Sequence, residues 1–288
     1  MKVAHTVAEL ERKPRAVALG TFDGVHVGHQ AVVEAAVDAG PSPTVITFHP
    51  HPREVLGNRV ELLATIERRL ELLAGLGIEE TLVVQFTASV AELEPEKFAD
   101  SYLHAIGAET VVTGEAFHFG RHRRGDLALL ERRGLATRVV RQLEGVSSTE
   151  IRRLLAEGDV RGAAALLGRP PEVEGVVVAG DARGGTLGFP TANLRVHQSL
   201  LVPRFGIYAG AALGHSAAVS IGVNPHYGGA ERRVEAFLLD FTGDLYGRRL
   251  VVELWDRLRD EEAFASEAEL VAQIARDVAA TRSAKRPG

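Results

Sequence analysis

His26 and His29 stand one helical turn apart, directly behind the glycine-bounded run Gly20-Thr21-Phe22-Asp23-Gly24. At i and i+3 the two imidazoles project to the same side of a helix. The first N–H groups of a helix have no partner within it and carry partial positive charge, so a polyphosphate arriving here would be met by both rings and by the helix terminus. Gly20 and Gly24 permit turn geometry, and Gly28, lacking a side chain, lets a nucleotide come close between the histidines. No Gly-Lys-Ser/Thr follows, so this is not a Walker loop. The plainer alternative, two surface histidines on an ordinary first helix, accounts less well for the glycine-rich strand end before them.

A second concentration spans residues 180–193. Thr191 and Asn193, two apart in an extended segment, point to one face and supply neutral oxygen ligands. Such hard oxygens beside a loop containing Gly184, Gly185 and Gly188 suit Mg2+ carried by a nucleoside triphosphate. Glu235 is a third element, placed in the apolar run 234–241 on a face shared with Phe237, Leu239 and Phe241. A carboxylate there is either paired with Arg232 or Arg233 at the strand mouth, or is an acid/base able to take the proton of an attacking alcohol. Ser147-Ser148-Thr149-Glu150 has the spacing of a capping box, and its hydroxyls, together with Arg152 on the first turn, also make an anion site.

The elements that must position these groups alternate between strand and helix up to about residue 168. Residues 16–19, 44–48, 81–86, 110–113 and 137–140 read as strands. Helices carry Val32, Val33, Ala36 and Val37, then Ile66, Leu70 and Leu73, then Phe98, Tyr102 and Ile106 after Pro95, and finally Ile151, Leu154 and Leu155. Such alternation predicts a Rossmann-like α/β domain with a parallel sheet covered on both faces and ligands at the strand C-terminal ends, where His26 and His29 fall. Gly168-Arg169-Pro170-Pro171 breaks the pattern. Beyond it, residues 173–178, 207–213, 217–221, 234–241 and 249–255 read as strands of a small antiparallel β-barrel, followed by a C-terminal helix from Ser266 with Leu270, Val271, Ile274 and Val278 on its apolar face. The expected domains are 1–170 and 171–288.

The chain has 288 residues, enough for two domains, and its 45% hydrophobic and 25% charged content suits packed cores. With no cysteine there are neither disulfides nor thiolate metal sites. Residues 1–13 contain no signal-peptide core and no apolar run reaches membrane-spanning length, so a cytoplasmic protein without membrane attachment is expected. A net charge of −5 argues against a nucleic-acid partner. The basic cluster 121–124 with Arg132 and Arg133 is either a solvated face or an attractor of anionic small molecules. Oligomeric state is not encoded in any feature of the sequence.

His26-Val27-Gly28-His29 resembles the His-x-Gly-His motif of the nucleotidyltransferase superfamily, which moves adenylyl groups from ATP, and Ser148, Thr149 and Arg152 match its Ser-Ser-Thr-x-x-Arg-like element. Over nearly the whole chain, the ordered motifs at residues 20–29, 47–52, 117–120, 148–152, 188–193, 244–247 and 258–261 resemble the prokaryotic bifunctional riboflavin kinase/FMN adenylyltransferases, also called FAD synthetases. Gly188-Phe189-Pro190-Thr191-Ala192-Asn193 is the element most specific to riboflavin kinases. The resemblance implies that Thr191 and Asn193 hold Mg2+ on ATP while Glu235 deprotonates the riboflavin hydroxyl to give FMN, with Arg259 and the last helix closing over the flavin. It implies that the FMN phosphate then attacks a second ATP to give FAD and pyrophosphate. His26 and His29 would stabilise the transferring phosphoryl, and Ser148, Thr149 and Arg152 would bind the pyrophosphate. Gly20, Thr21, Phe22, Asp23 and Gly28 in the first half, and Gly185, Gly188 and Pro190 in the second, are the implied ATP-binding positions. In an alternative, one half is active and the other is a flavin-binding or regulatory module. Ala116 stands where the family usually has Asp or Asn, and His226 where it usually has Thr.

Overall fold

The computed structural model describes residues 1–180, 187–223 and 232–288, and the chain divides into two compact units, Met1–Ser148 and Thr149–Gly288. In the first unit six parallel strands form one sheet: β1 (Lys2–Ala4), β2 (Arg15–Leu19), β3 (Thr44–His49), β4 (Glu80–Gln85), β5 (Ala108–Gly114) and β6 (Ala136–Val140). Their order is β1-β4-β3-β2-β5-β6. Every residue of β2 is buried, as expected of a central strand with helices on both faces. Its alternation divides the core in two. Val17 and Leu19 join Ile46, Phe48, Leu82, Val84 and Val111 on one side, whereas Ala18, Val45 and Val112 pack on the other with Val32, Val33 and Ala36 of α1 (Val27–Ala39) and Leu73 of α2 (Ile66–Ala74).

Three residues are too few to show a period, and β1 is the edge strand the sequence pattern did not disclose; it pairs with β4 alone. The helix after Pro95 also differs from its 3.6-residue reading. α3 (Pro95–Phe98) runs into a π-helical segment, Ala99–His104, and the buried stripe becomes Phe98, Leu103 and Ile106. One extra residue per π turn moves Leu103 into the place where Tyr102 was expected, leaving Tyr102 half-buried. α4 (Leu127–Arg132) completes that face with Leu129 and Leu130.

The second unit opens with α5 (Ser148–Glu157, beginning one residue inside the first unit) and α6 (Val160–Leu167), followed by the strands β7 (Glu172–Val178), β8 (Ala192–Val196), β9 (Gly206–Ala212), β10 (His215–Val223), β11 (Arg232–Leu238) and β12 (Arg249–Arg259). They close as a barrel in the order β10-β11-β8-β7-β12-β9. β8 supplies the sixth strand, one more than the periodic segments indicated. β11 stops at Leu238, because Asp240 turns at φ 57°, so the face of Glu235 carries Arg233 and Phe237 and does not reach Leu239 or Phe241. β12 extends to Arg259 through register shifts at Leu254/Asp256 and Arg257/Arg259. α7 (Glu267–Ser283) half-buries Leu270, Val271, Ile274 and Val278, the face expected to be apolar, and its two fully buried residues are the polar Asp277 and Thr281. Among the described residues no helix is long and apolar enough to cross a membrane.

One charge pair ties the far end of the parallel sheet. Arg15 Nε and Nη2 donate to Glu80 Oε2 at 3.0 and 2.7 Å, and Nη1 donates to the Ile106 carbonyl. Burial alone would raise the Glu80 pKa, but the Arg15 hydrogen bonds and the charges of Arg15 and Lys13 outweigh it and the net direction is downward. A carboxylate depressed in the folded state contributes stability that is complete above its ordinary value of 4.5 and is lost as pH falls through the folded value. Glu80→Ala, which leaves Arg15 buried without its partner, is expected to cost about 3 kcal/mol in denaturant unfolding at pH 7. Glu80→Gln should also flatten the loss of stability below pH 4.5. Unchanged stability in both variants would contradict this account.

Candidate functional site

The first candidate site forms where β2 gives way to α1. The chain leaves β2 at Gly20 and turns through Phe22 (φ 51°), Gly24 (φ 81°) and Val25 (φ 41°) before α1 begins. Gly24 is required twice over: its φ is left-handed, and a Cβ there would lie 2.8 Å from the Leu63 side chain. Phe22 and Val25, each 1% exposed, hold the turn down against the core of α1 and α2. Thr21 accepts through its carbonyl from Thr47 Oγ1 at 3.0 Å. The carboxylate of Asp23 is turned inward, where its oxygens accept the Leu63 N–H at 3.0 and 3.3 Å. Ser148 Oγ donates to the Asp23 carbonyl at 3.1 Å, which joins the start of α5 to this turn.

His26 is the N-cap of α1, and its Nδ1 accepts the His29 N–H at 3.2 Å. With Nδ1 acting as acceptor, the ring proton available to a ligand is the one on Nε2. The two imidazoles stack with centroids 3.6 Å apart and planes 16° from parallel, and Phe22 meets His29 edge-on at 5.4 Å. Gly28 lies under the pair: a Cβ there would sit 3.2 Å from His26 Cε1. Burial, then the charges of His26 and Arg69, hold the His29 pKa well below its ordinary 6.5. His29 Nδ1 is buried without a hydrogen-bond partner. The ring is therefore a neutral polar group. Thr149 and Arg152 follow on α5, exposed and half-buried respectively. Ala116, in the loop after β5, is exposed and its carbonyl accepts from Arg123 Nη2 at 3.5 Å.

The second candidate site is a cavity of about 340 Å³ between the barrel wall and α7. Thr191, Asn193, Glu235, Phe189, Arg259 and Ile274 are among its lining residues. Glu235 of β11 is the register partner of Asn193 on β8, so the two side chains stand on one face of adjoining strands. Arg233 Nε lies 3.6 Å from Glu235 Oε1, so the carboxylate is both ion-paired and part of the cavity wall. Asn193 Nδ2 donates to the Thr191 carbonyl at 3.5 Å, leaving the amide oxygen as the acceptor. Gly180 makes room for this amide, since a Cβ there would come within 2.3 Å of Asn193 Nδ2. Gly188 turns at φ 86° and Pro190 is exposed just before Thr191. Gly185 and His226 lie outside the described residues.

Arg259 is tied to α7. Its Nε donates to Asp277 at 3.0 and 3.2 Å and its Nη2 at 2.8 Å, while Nη1 donates to the Asp260 carbonyl at 2.9 Å. The Asp277 hydrogen bonds raise the Arg259 pKa further, and the guanidinium also lies 5.8 Å from the Phe264 ring centre. Asp277 was not singled out from the sequence, although a carboxylate in line with Leu270 and Ile274 on a helix is an available signal. Arg69 was missed in the same way, in line with Ile66 and Leu73.

A parallel sheet with paired imidazoles at the point where its strand order reverses, joined in one chain to a closed barrel whose cavity combines a carboxylate with hard oxygen donors, defines a two-site transferase of phosphorus-containing groups. Residues 8–152 match the FAD synthetase family and residues 167–285 the riboflavin kinase family. The chain is 37% identical to the bifunctional riboflavin kinase/FMN adenylyltransferase of Listeria monocytogenes, covering 93% of this chain and 92% of that one. With the Bacillus subtilis protein of the same name the identity is 34%, over 95% and 93% of the two chains. A crystal structure from Streptococcus pneumoniae, titled a macrolide-efflux protein, superimposes with a TM-score of 0.86 at 30% identity over 98% of this chain and 99% of that one. The chain belongs to the bifunctional riboflavin kinase/FMN adenylyltransferases. It is an enzyme of FAD biosynthesis, with ATP, riboflavin, FMN and FAD as its substrates and products.

The surroundings of His29 lead to a direct measurement. In a proton NMR titration its ring is expected to change state well below pH 6.5, and a midpoint at or above 6.5 would contradict a neutral imidazole at the site.

Proposed function

We propose that each half-reaction is run by the residues grouped at one of these sites. At the barrel, Glu235 takes the proton from the riboflavin 5′-hydroxyl as it attacks the γ-phosphorus of ATP and FMN is formed. The observation that carries this assignment is the placement of Glu235 opposite Asn193 on adjoining strands in a single cavity. Thr191 and Asn193, with only oxygen atoms to offer, fit Mg2+ and are assigned to hold it on the triphosphate. When bound, the ion would neutralise charge on the phosphoryl oxygens. Gly185, Gly188 and Pro190 are assigned to the same triphosphate by their place in the sequence just before Thr191. Arg259, fixed to α7 through Asp277, is assigned to hold the flavin side of the cavity closed.

At the sheet, the FMN phosphate attacks the α-phosphorus of ATP and pyrophosphate leaves. His26 and His29 donate to the oxygens on which charge develops, a role supported by the Nε2 proton of His26 and the neutrality of His29. Gly20, Thr21 and Gly28 act through their backbone, and the buried Phe22 and Asp23 act by fixing the turn. Ser148, Thr149 and Arg152 are assigned to the pyrophosphate, as groups of the first turn of α5. We place the functional border near residue 170, so that α5 serves the adenylyl half although residues 149–170 cluster with the barrel. Dependence on ATP fits a cytoplasmic enzyme, and the net charge of −5 fits small-molecule partners and not nucleic acid.

Incubation with riboflavin, ATP and Mg2+, followed by chromatography of the flavins, separates the two assignments. Glu235→Ala is expected to make no FMN while still converting supplied FMN to FAD, and His29→Ala to stop at FMN. Full kinase activity in Glu235→Ala would remove it as the base. Gly180→Ala must displace the Asn193 amide and is expected to lower FMN formation at least tenfold, about 1.4 kcal/mol of barrier, with adenylylation unchanged. Wild-type rates of FMN formation would exclude Asn193 from the metal-binding role.

A further inference from the structure

Beside the turn that leads into the histidine pair lies a buried cation that neither half-reaction has so far used. Arg69 of α2 is 1% exposed, and its guanidinium is incompletely partnered: Nη1 donates to the Phe48 carbonyl at 3.2 Å and reaches Thr47 Oγ1 at 3.5 Å, Nη2 stands 4.0 Å from Asp23, and Nε has no hydrogen-bond partner. A buried arginine held by one carbonyl, one hydroxyl and a distant carboxylate is a poor stabilising device, because an apolar side chain of similar volume would spare its desolvation. Its contacts all lead to the adenylyl site. Phe48 ends the β3 core, Thr47 Oγ1 donates to the Thr21 carbonyl, and the Asp23 backbone receives Ser148.

We propose that Arg69 is a positioning residue for adenylyl transfer: its buried charge fixes the turn 21–23 against the end of β3 and supplies a permanent positive field behind His26 and His29. The proposal rests on reading the histidine pair as the site of that transfer. In a site shielded from water such a field requires no reorganisation when negative charge builds on the phosphorus oxygens. Keeping His29 neutral follows from the same arrangement. The charged groups acting on His29 are His26 from its own helix and Arg69 from α2, while Asp23 and Glu54 face Arg69 in turn. Without the guanidinium, the His29 ring would bind a proton more readily and the carboxylate of Asp23 would lose its counter-charge.

The test uses the full chain with FMN, ATP and Mg2+, and compares Arg69→Met, Arg69→Lys and His29→Ala. For Arg69→Met the rate constant of FAD formation is expected to fall on the order of 100-fold without a matching rise in the KM for FMN. The His29 titration midpoint should move up toward 6.5, and riboflavin phosphorylation should be unchanged. Arg69→Lys keeps the charge and should keep the low midpoint and recover most of the rate. If Arg69→Met does not fold, Asp23→Asn/Arg69→Met, which removes both charges, carries the same expectations. Full FAD formation in Arg69→Met beside an inactive His29→Ala would overturn the proposal. So would equal losses in the Met and Lys variants with the His29 midpoint unmoved, which is the mark of packing alone. Full activity in His29→Ala would instead overturn the reading of the histidine pair itself.

Discussion

The first site depends on a backbone turn that its own residues resist. Val25 is β-branched and sits at φ 41°, and Phe22 at φ 51°, conformations that cost free energy for side chains of this kind. They persist because both rest in the core shared by α1 and α2, so tertiary packing over-determines the local geometry. What this secures is the N-cap. The ring of His26 satisfies the first turn of α1 through Nδ1, which presets its tautomer and stacks it on His29. Strain, cap and chemistry are thus one arrangement, and a loosened turn would lose all three together.

The barrel solves its positioning problem by register. In a closed antiparallel sheet each residue has a fixed neighbour, and shifting a strand by one position would turn Glu235 into the core and Val234 into the cavity. Pairings on both sides of β11 prevent this, because Glu235 lies opposite Asn193 on β8 and opposite Ser220 on β10. Asp277 plays the equivalent part for the other wall. Its carboxylate receives Gln273 as well as Arg259, so that the end of β12 and the middle of α7 share one anchor.

Much of this could be read in the residues themselves. The buried strand over residues 16–19, the helix start at His26 and the change of pattern at residues 168–171 follow from apolar runs and turn chemistry that act over a few positions. The histidine pair stood out by its spacing behind a glycine-bounded strand end, and Glu235 as a polar group in an apolar run. β8 was not counted as a strand because Ala192–Val196 has a single buried apolar residue, Leu194, and its place is decided by closure of the barrel. The π-helical shift to Leu103 depends on packing against the sheet, which no local period encodes. Arg69 and Asp277 sat in visible helical stripes, but their meaning lay in Phe48, 21 residues away, and Arg259, 18 residues away, and spacing within a helix says nothing of such partners.

The two nucleophiles explain why the proposed sites differ so much in composition. A ribityl hydroxyl, like water, is almost wholly protonated at neutral pH, so its attack needs a base within reach. A carboxylate at the barrel cavity meets that need. The phosphate of FMN is already ionised at pH 7, its second pKa being about 6, and a base would add nothing to its nucleophilicity. An exposed carboxylate beside it would instead repel both substrates, since ATP and FMN are anions. Asp23 is the acidic residue closest in sequence to His26, and it is 1% exposed, turned away from the rings and held by the Leu63 N–H with Arg69 4.0 Å off. The proposed adenylyl site therefore faces its substrates with imidazoles and a helix terminus, and keeps the Asp23 carboxylate buried, with a buried cation beside it.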